Sequence, residues 1–159
     1  MNILAWNCRG VGNSRTVQEL CYFVKAHFPK IVFLSETRMH ASRVKELKWR
    51  IGLHNCLAIS SRGLSGGLAL FWDESLSVSL LGQDDHCLDV LIKEEPDGPW
   101  MCIGDFNETM WQYEHFSETP RPERQMLDFR EILSHCDLHD LGFTGHPWTY
   151  NNNQGGRRN

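Results

Sequence analysis

Ile31-Val32-Phe33-Leu34-Ser35 constrains the fold more than any other segment of this chain. It is a β-branched and aromatic run with no polar position before Ser35, so it reads as a strand buried on both faces, the pattern of α/β sheets. The run leads into Glu36-Thr37-Arg38, which puts a carboxylate at the carboxyl end of a buried strand. Two other segments share this layout. An apolar strand over residues 2–6 presents Asn7, and the short run Trp100-Met101-Cys102-Ile103 leads into Gly104-Asp105-Phe106-Asn107. At a strand period of two, Asp105 and Asn107 point the same way and Phe106 points into the core. Ligands of α/β sheets collect beyond the carboxyl ends of strands. Each of these polar residues alone reads as a turn or cap residue. A site is read from three such strand ends taken together.

The rest of the chain predicts an α/β alternation. A helix is expected over residues 16–28, with Thr16 and Glu19 as a capping box, Val17, Leu20, Cys21, Val24 and Phe28 on one face, and Pro29 as its stop. A shorter helix over 42–51 ends at Gly52. Strands are expected at 55–60, 67–72, 76–81, 87–92 and 100–103. A helix from Pro122 to about Cys136 turns Met126, Phe129, Leu133 and Cys136 inward. Trp148-Thr149-Tyr150 reads as a last short strand.

With 159 residues, 41% of them hydrophobic, one domain over 1–150 with a real core is expected, followed by a mobile polar tail over 151–159. Six cysteines at 8, 21, 56, 87, 102 and 136 form no close pair and lie mostly in apolar runs, which predicts buried reduced thiols. With no secretory leader or membrane span in view, the expected setting is intracellular, nuclear or cytoplasmic, not secreted and without membrane association. A net charge of −4 argues against a protein that coats DNA generally. It is compatible with an enzyme that gathers acids around a divalent cation; no stable protein partner is expected.

Trp6-Asn7-Cys8-Arg9-Gly10, Leu34-Ser35-Glu36-Thr37-Arg38 and Ile103-Gly104-Asp105-Phe106-Asn107 resemble the endonuclease/exonuclease/phosphatase superfamily. More closely, the chain is similar to the amino-terminal endonuclease domain of plant LINE-type (non-LTR) retrotransposon polyproteins. The segments Ser65-Gly66-Gly67-Leu68-Ala69-Leu70-Phe71-Trp72 and Asp140-Leu141-Gly142-Phe143-Thr144-Gly145 match that closer group. The likeness runs from Met1 to Tyr150 and implies the superfamily's four-layer α/β sandwich.

The residue types suit phosphodiester hydrolysis, which needs an activated water and neutralised phosphoryl charge. A hard cation such as Mg²⁺, or Mn²⁺ in its place, keeps several waters, so one or two carboxylates suffice. Glu36 is the leading expected metal ligand, with Asn7 beside it as a second metal contact or orienting Glu36, a metal-bound water or the phosphate. Asp105 is expected to position or deprotonate the water, and Asn107 to bond the phosphate or fix Asp105. The resemblance carries these roles at the same positions. Arg9 stands where many relatives outside the plant group place an acid. Arg9 and Trp148 are the expected contacts to DNA.

Two departures from the family pattern concern function. The family's Ser-Asp-His segment does not occur before Asn159, and Asp85-His86 reads as a turn pair. Residues 93–99, with Pro96-Asp97-Gly98, are too few for a parallel crossover and suit an antiparallel hairpin. The fold is therefore expected to be incomplete, lacking one strand-helix unit and the C-terminal strand. Without its histidine the chain is expected to turn over about 10²-fold slower or worse, by analogy with a lost oxyanion donor. The competing expectations are a truncated retroelement remnant with no enzymatic role and, more remotely, a lipid or inositol phosphatase. Arg121, Arg124, Arg130, Arg157 and Arg158 read either as phosphate contacts or as a solvated face and tail. His135 and His139, with Cys136 between them, lack a fourth ligand for zinc.

Overall fold

The computed structural model describes residues 2–93, 101–115 and 119–145. The expected strand at Trp148, the turn before Trp100 and the tail over 151–159 lie outside them. The chain divides into two compact units, Met1–Asp105 and Phe106–Asn159.

The first unit runs β1 (Ile3–Asn7), α1 (Ser14–His27), β2 (Ile31–Ser35), α2 (Ala41–Lys45), α3 (Leu47–Ile51), β3 (Asn55–Ile59), β4 (Leu68–Trp72), β5 (Ser77–Gln83) and β6 (Leu88–Lys93). Four strands form a mixed sheet in the order β1-β2-β4-β3. β1 and β2 are parallel, joined through α1, and β4 runs antiparallel to both β2 and β3. β5 and β6 form a separate antiparallel pair, with a bulge between Leu80 and Gly82. This mixed α/β architecture of two sheets and helices is the expected fold class.

β2 shows why its sequence has no polar position. Val32 and Leu34 are fully buried on the helical side, with Val17, Leu20 and Val24 of α1, Val44 of α2, Leu47 and Ile51 of α3, and Phe71 of β4. Ile31 and Phe33 belong to a second cluster with Leu70, Leu76, and Val78, Val90 and Ile92 of the β5–β6 pair. Alternate side chains therefore meet apolar partners on both faces.

Helix boundaries follow local chemistry that the sequence only partly disclosed. The expected capping box does not form. Asn13 caps α1 instead, its Oδ1 accepting from Arg15 N (2.7 Å) and Thr16 N (3.0 Å), while Glu19 pairs with Arg15 at the surface. Asn competes well at this position because its short amide reaches two orphan amides at once. Phe28 ends the helix in the left-handed region at φ 47° and is 80% exposed, not on the buried face. The helix expected over 42–51 is two short ones meeting at Glu46.

The expected strand over 100–103 is not found among the described residues of that segment. Residues 101–103 join neither sheet, and Met101 and Ile103 are 48% and 41% exposed. A short apolar run does not hold an extended conformation without a ladder partner. The period-two argument for Asp105 and Asn107 therefore does not apply, and Phe106 is 49% exposed instead of buried in the core.

In the second unit a 3-10 turn, Gln112–Glu114, precedes α4 (Glu123–His135). Met126 is buried and Phe129 stacks obliquely on Phe106 at 5.9 Å, but Cys136 is exposed, not inward. Arg121 and Arg130 are structural here. Arg121 bonds Glu108 at 3.1 Å and donates to the Asn107 carbonyl at 2.9 Å. Arg130 bonds Glu123 and the Met110 carbonyl and lies over the Trp111 ring.

All six thiols are free, but Cys87, Cys102 and Cys136 are exposed, so burial is not general as expected. Burial pushes the Cys8 thiol up and the Cys56 thiol up to about 12. Only the thiolate alkylates. Iodoacetamide near neutral pH is therefore expected to label Cys102 and Cys136 on the native protein, and Cys8 and Cys56 only after denaturation. Mass spectrometry that finds Cys56 labelled as fast as Cys136 would contradict the packing of β3.

Candidate functional site

The site is built where β1 and β2 end side by side. Their parallel register sets Asn7 opposite Ser35. The ladder continues past the strands through Cys8 N to the Ser35 carbonyl (3.1 Å) and Val11 N to the Thr37 carbonyl (3.0 Å). Both chains then turn sharply. Arg9, Glu36 and Arg38 adopt left-handed φ values of 48°, 55° and 52°. A non-glycine residue in that region costs about 1–3 kcal/mol, and such strain gathers at functional sites. Three instances on two adjacent loops mark this end of the sheet.

Asn7 is fixed at both ends of its amide. Its Nδ2 donates to Asp105 Oδ2 at 2.8 Å, and its Oδ1 accepts from Arg9 N at 3.3 Å. The second bond requires an acceptor, so it settles which end of the amide faces Asp105. Glu36 is one third exposed; Oε2 accepts from Arg38 Nε at 3.3 Å and Oε1 from Gly66 N at 3.2 Å. At that exposure the ion pair with Arg38 contributes about 0–1 kcal/mol and serves orientation more than stability.

The structure thus brings Asn7 and Asp105 into direct contact and sets Glu36 just beyond the neighbouring strand end. Asn7 holds Asp105 in this arrangement, a partner that the sequence did not indicate for it. Arg9 lies on the β1 loop. Asn107 belongs to the second unit, where its φ is 55° and its carbonyl accepts from Arg121. Trp148 lies outside the described residues. Asp85 and His86 form the turn before β6, with Asp84 accepting from the His86 and Cys87 amides and Asp85 paired with Arg62. Sequence reading missed the Gly66 amide, because a backbone donor leaves no trace in side-chain chemistry.

The donor set fits a hard cation. No group of three or more His, Cys, Asp or Glu side chains gathers among the described residues, so no closed cage is built. Each Glu36 oxygen has one hydrogen bond, and a carboxylate offers about four acceptor positions. Mg²⁺ asks for one or two carboxylates and retains its other waters. A search of curated proteins finds no match to this chain. The sequence profile of the Endonuclease/Exonuclease/phosphatase family matches residues 4–158, and the chain belongs to that family.

Proposed function

We propose that this chain is a Mg²⁺-dependent endonuclease domain that nicks DNA, of the LINE-type retroelement lineage, with Mn²⁺ an acceptable substitute. Membership of the family supports hydrolysis of phosphate esters and phosphodiesters in general. The observation that carries the finer reading is the Asn7–Asp105 hydrogen bond beside Glu36, at the carboxyl ends of two parallel strands.

In this reading Glu36, with Asn7 Oδ1, holds the cation, which would neutralise phosphoryl charge when bound. Asp105 positions a water and takes its proton. Asn7 Nδ2–H keeps the Asp105 carboxylate from rotating away from that water. Asn107 bonds the phosphate, and Arg9 and Trp148 contact DNA. No membrane or stable protein partner is proposed, and the setting is nuclear or cytoplasmic. Among the described residues no helix is long and apolar enough to cross a membrane.

One observation favours a second reading, a retroelement remnant without activity. Met101 and Ile103 are exposed, and among the described residues no strand leads into Gly104-Asp105-Phe106-Asn107. Nicking of supercoiled plasmid by the purified chain, with Mg²⁺ and with EDTA, separates the two. Weak metal-dependent nicking at most is expected. Its absence from a protein shown to be folded selects the remnant.

A further inference from the structure

We infer that the Gly66–Gly67 corner is a positioning element for the Glu36 carboxylate, an inference that rests on the reading of Glu36 as the metal-holding residue. The corner connects to the site through three bonds. Thr37 N donates to the Gly67 carbonyl and Arg38 N to the Gly66 carbonyl, both at 3.0 Å. The Gly66 amide donates in return to Glu36 Oε1 at 3.2 Å. The backbone rungs fix where residues 36–38 lie relative to the corner. The third bond then fixes which way one carboxylate oxygen points. Glu36 is left-handed at φ 55°, a conformation that needs such external support.

The corner admits only glycine at 67. Its φ is +88°, and an added Cβ would overlap Thr37 Oγ1 and come within 3.2 Å of the Ser61 backbone nitrogen. Thr37 has little room to give way because it is fully buried, and its hydroxyl has no hydrogen-bond partner among the described residues. Leaving a buried hydroxyl unpaired costs about 1–3 kcal/mol. That cost accompanies a close approach of Gly67 to the residue next to Glu36. Gly66 is different. Its φ of +73° is left-handed but no atom lies within 4 Å of an added Cβ, so its amide is the feature that matters.

Supporting groups around a metal ligand typically matter 10–100-fold in metal affinity. The test uses the full chain with Mn²⁺ as the probe, its affinity read by electron paramagnetic resonance. Gly67→Ala is expected to weaken Mn²⁺ binding about 10–100-fold in a folded protein. Adding Thr37→Ala, which removes the overlapping hydroxyl, is expected to recover part of that loss. Gly66→Asn keeps the amide in a conformation Asn tolerates and is expected to bind as the unaltered chain does.

A second readout needs no metal. The Gly66 amide proton resonance is expected to move upfield in Glu36→Gln, because a charged acceptor is replaced by a neutral one. An unmoved Gly66 resonance overturns the inference, as does a folded Gly67→Ala with unchanged Mn²⁺ affinity where that affinity depends on Glu36. If the resonance moves but the unaltered chain binds Mn²⁺ no better than Glu36→Ala, the positioning stands and the metal reading falls. The resonance decides the matter even where Gly67→Ala does not fold.

Discussion

Glu36→Ala is expected to lower Mg²⁺-dependent nicking by on the order of 10²–10³-fold, the loss of about 3–4 kcal/mol of transition-state stabilisation. Fold stability is not expected to follow. Glu36 is one third exposed, and its two partners are a half-exposed arginine and one backbone amide. Both can turn to water when the carboxylate is gone, so the stability change belongs to the range of surface ion pairs, below about 1 kcal/mol. Asp105→Asn is the informative companion. Its amide oxygen can still accept from Asn7 Nδ2, so the 2.8 Å contact survives while the charge is lost. That variant is expected to fall in kcat with metal affinity retained, whereas Glu36→Ala loses both. Glu36→Ala that nicks as fast as the unaltered chain would sink the assignment of the cation to Glu36.

What was legible in the sequence was decided by local signals. β2 was read within its observed bounds because burial on both faces leaves no polar position to blur its ends. Gly52 and Pro29 marked helix ends through backbone chemistry that one residue fixes alone. Asn7, Glu36 and Asp105 were legible as candidates because each follows an apolar run. What failed was whatever depended on a partner distant in sequence. The run 100–103 looked like a strand, but a strand exists only with a ladder beside it, and sequence cannot show the neighbour. Arg121 and Arg130 read either as phosphate contacts or as a solvated face, and neither reading showed Glu108, Glu123 and the Trp111 ring around them. The link from Asn7 to Asp105 spans 98 positions, and nothing local announces it. The tip of the turn before Gly66 shows the same limit in reverse: Leu64 is apolar yet 87% exposed, because Arg62 and Ser65 pair beneath it.

Phe71→Ala is expected to be the most destabilising single truncation in the first unit, at about 3–5 kcal/mol. Phe71 is fully buried in β4, in register with Val32 on one side and Cys56 on the other. Its ring lies in the cluster that joins α1, α2 and α3 to the sheet. Two of those helices, α2 and α3, have only five residues each, and so have little room to collapse into a cavity without breaking their own hydrogen bonds. Typical domains have only about 5–15 kcal/mol in total, so one ring is a large fraction. Urea unfolding followed by far-UV circular dichroism is expected to show a midpoint lower by roughly 2 M, taking a slope of about 2 kcal/mol per M. Leu64→Ala is the matched control and is expected to stay within about 0.5 kcal/mol of the unaltered chain. The effect should reach the site as well. β4 begins one residue after Gly67, so a sheet loosened at Phe71 releases the corner that orients Glu36. Mn²⁺ binding by Phe71→Ala is therefore expected to decline at lower urea than its helical signal. Coincident loss of the two would mean that the corner and the helix layer unfold as one unit. A cost below about 1 kcal/mol would mean that the helices do not pack on this face of the sheet, because no buried phenyl ring is removed so cheaply from a filled core.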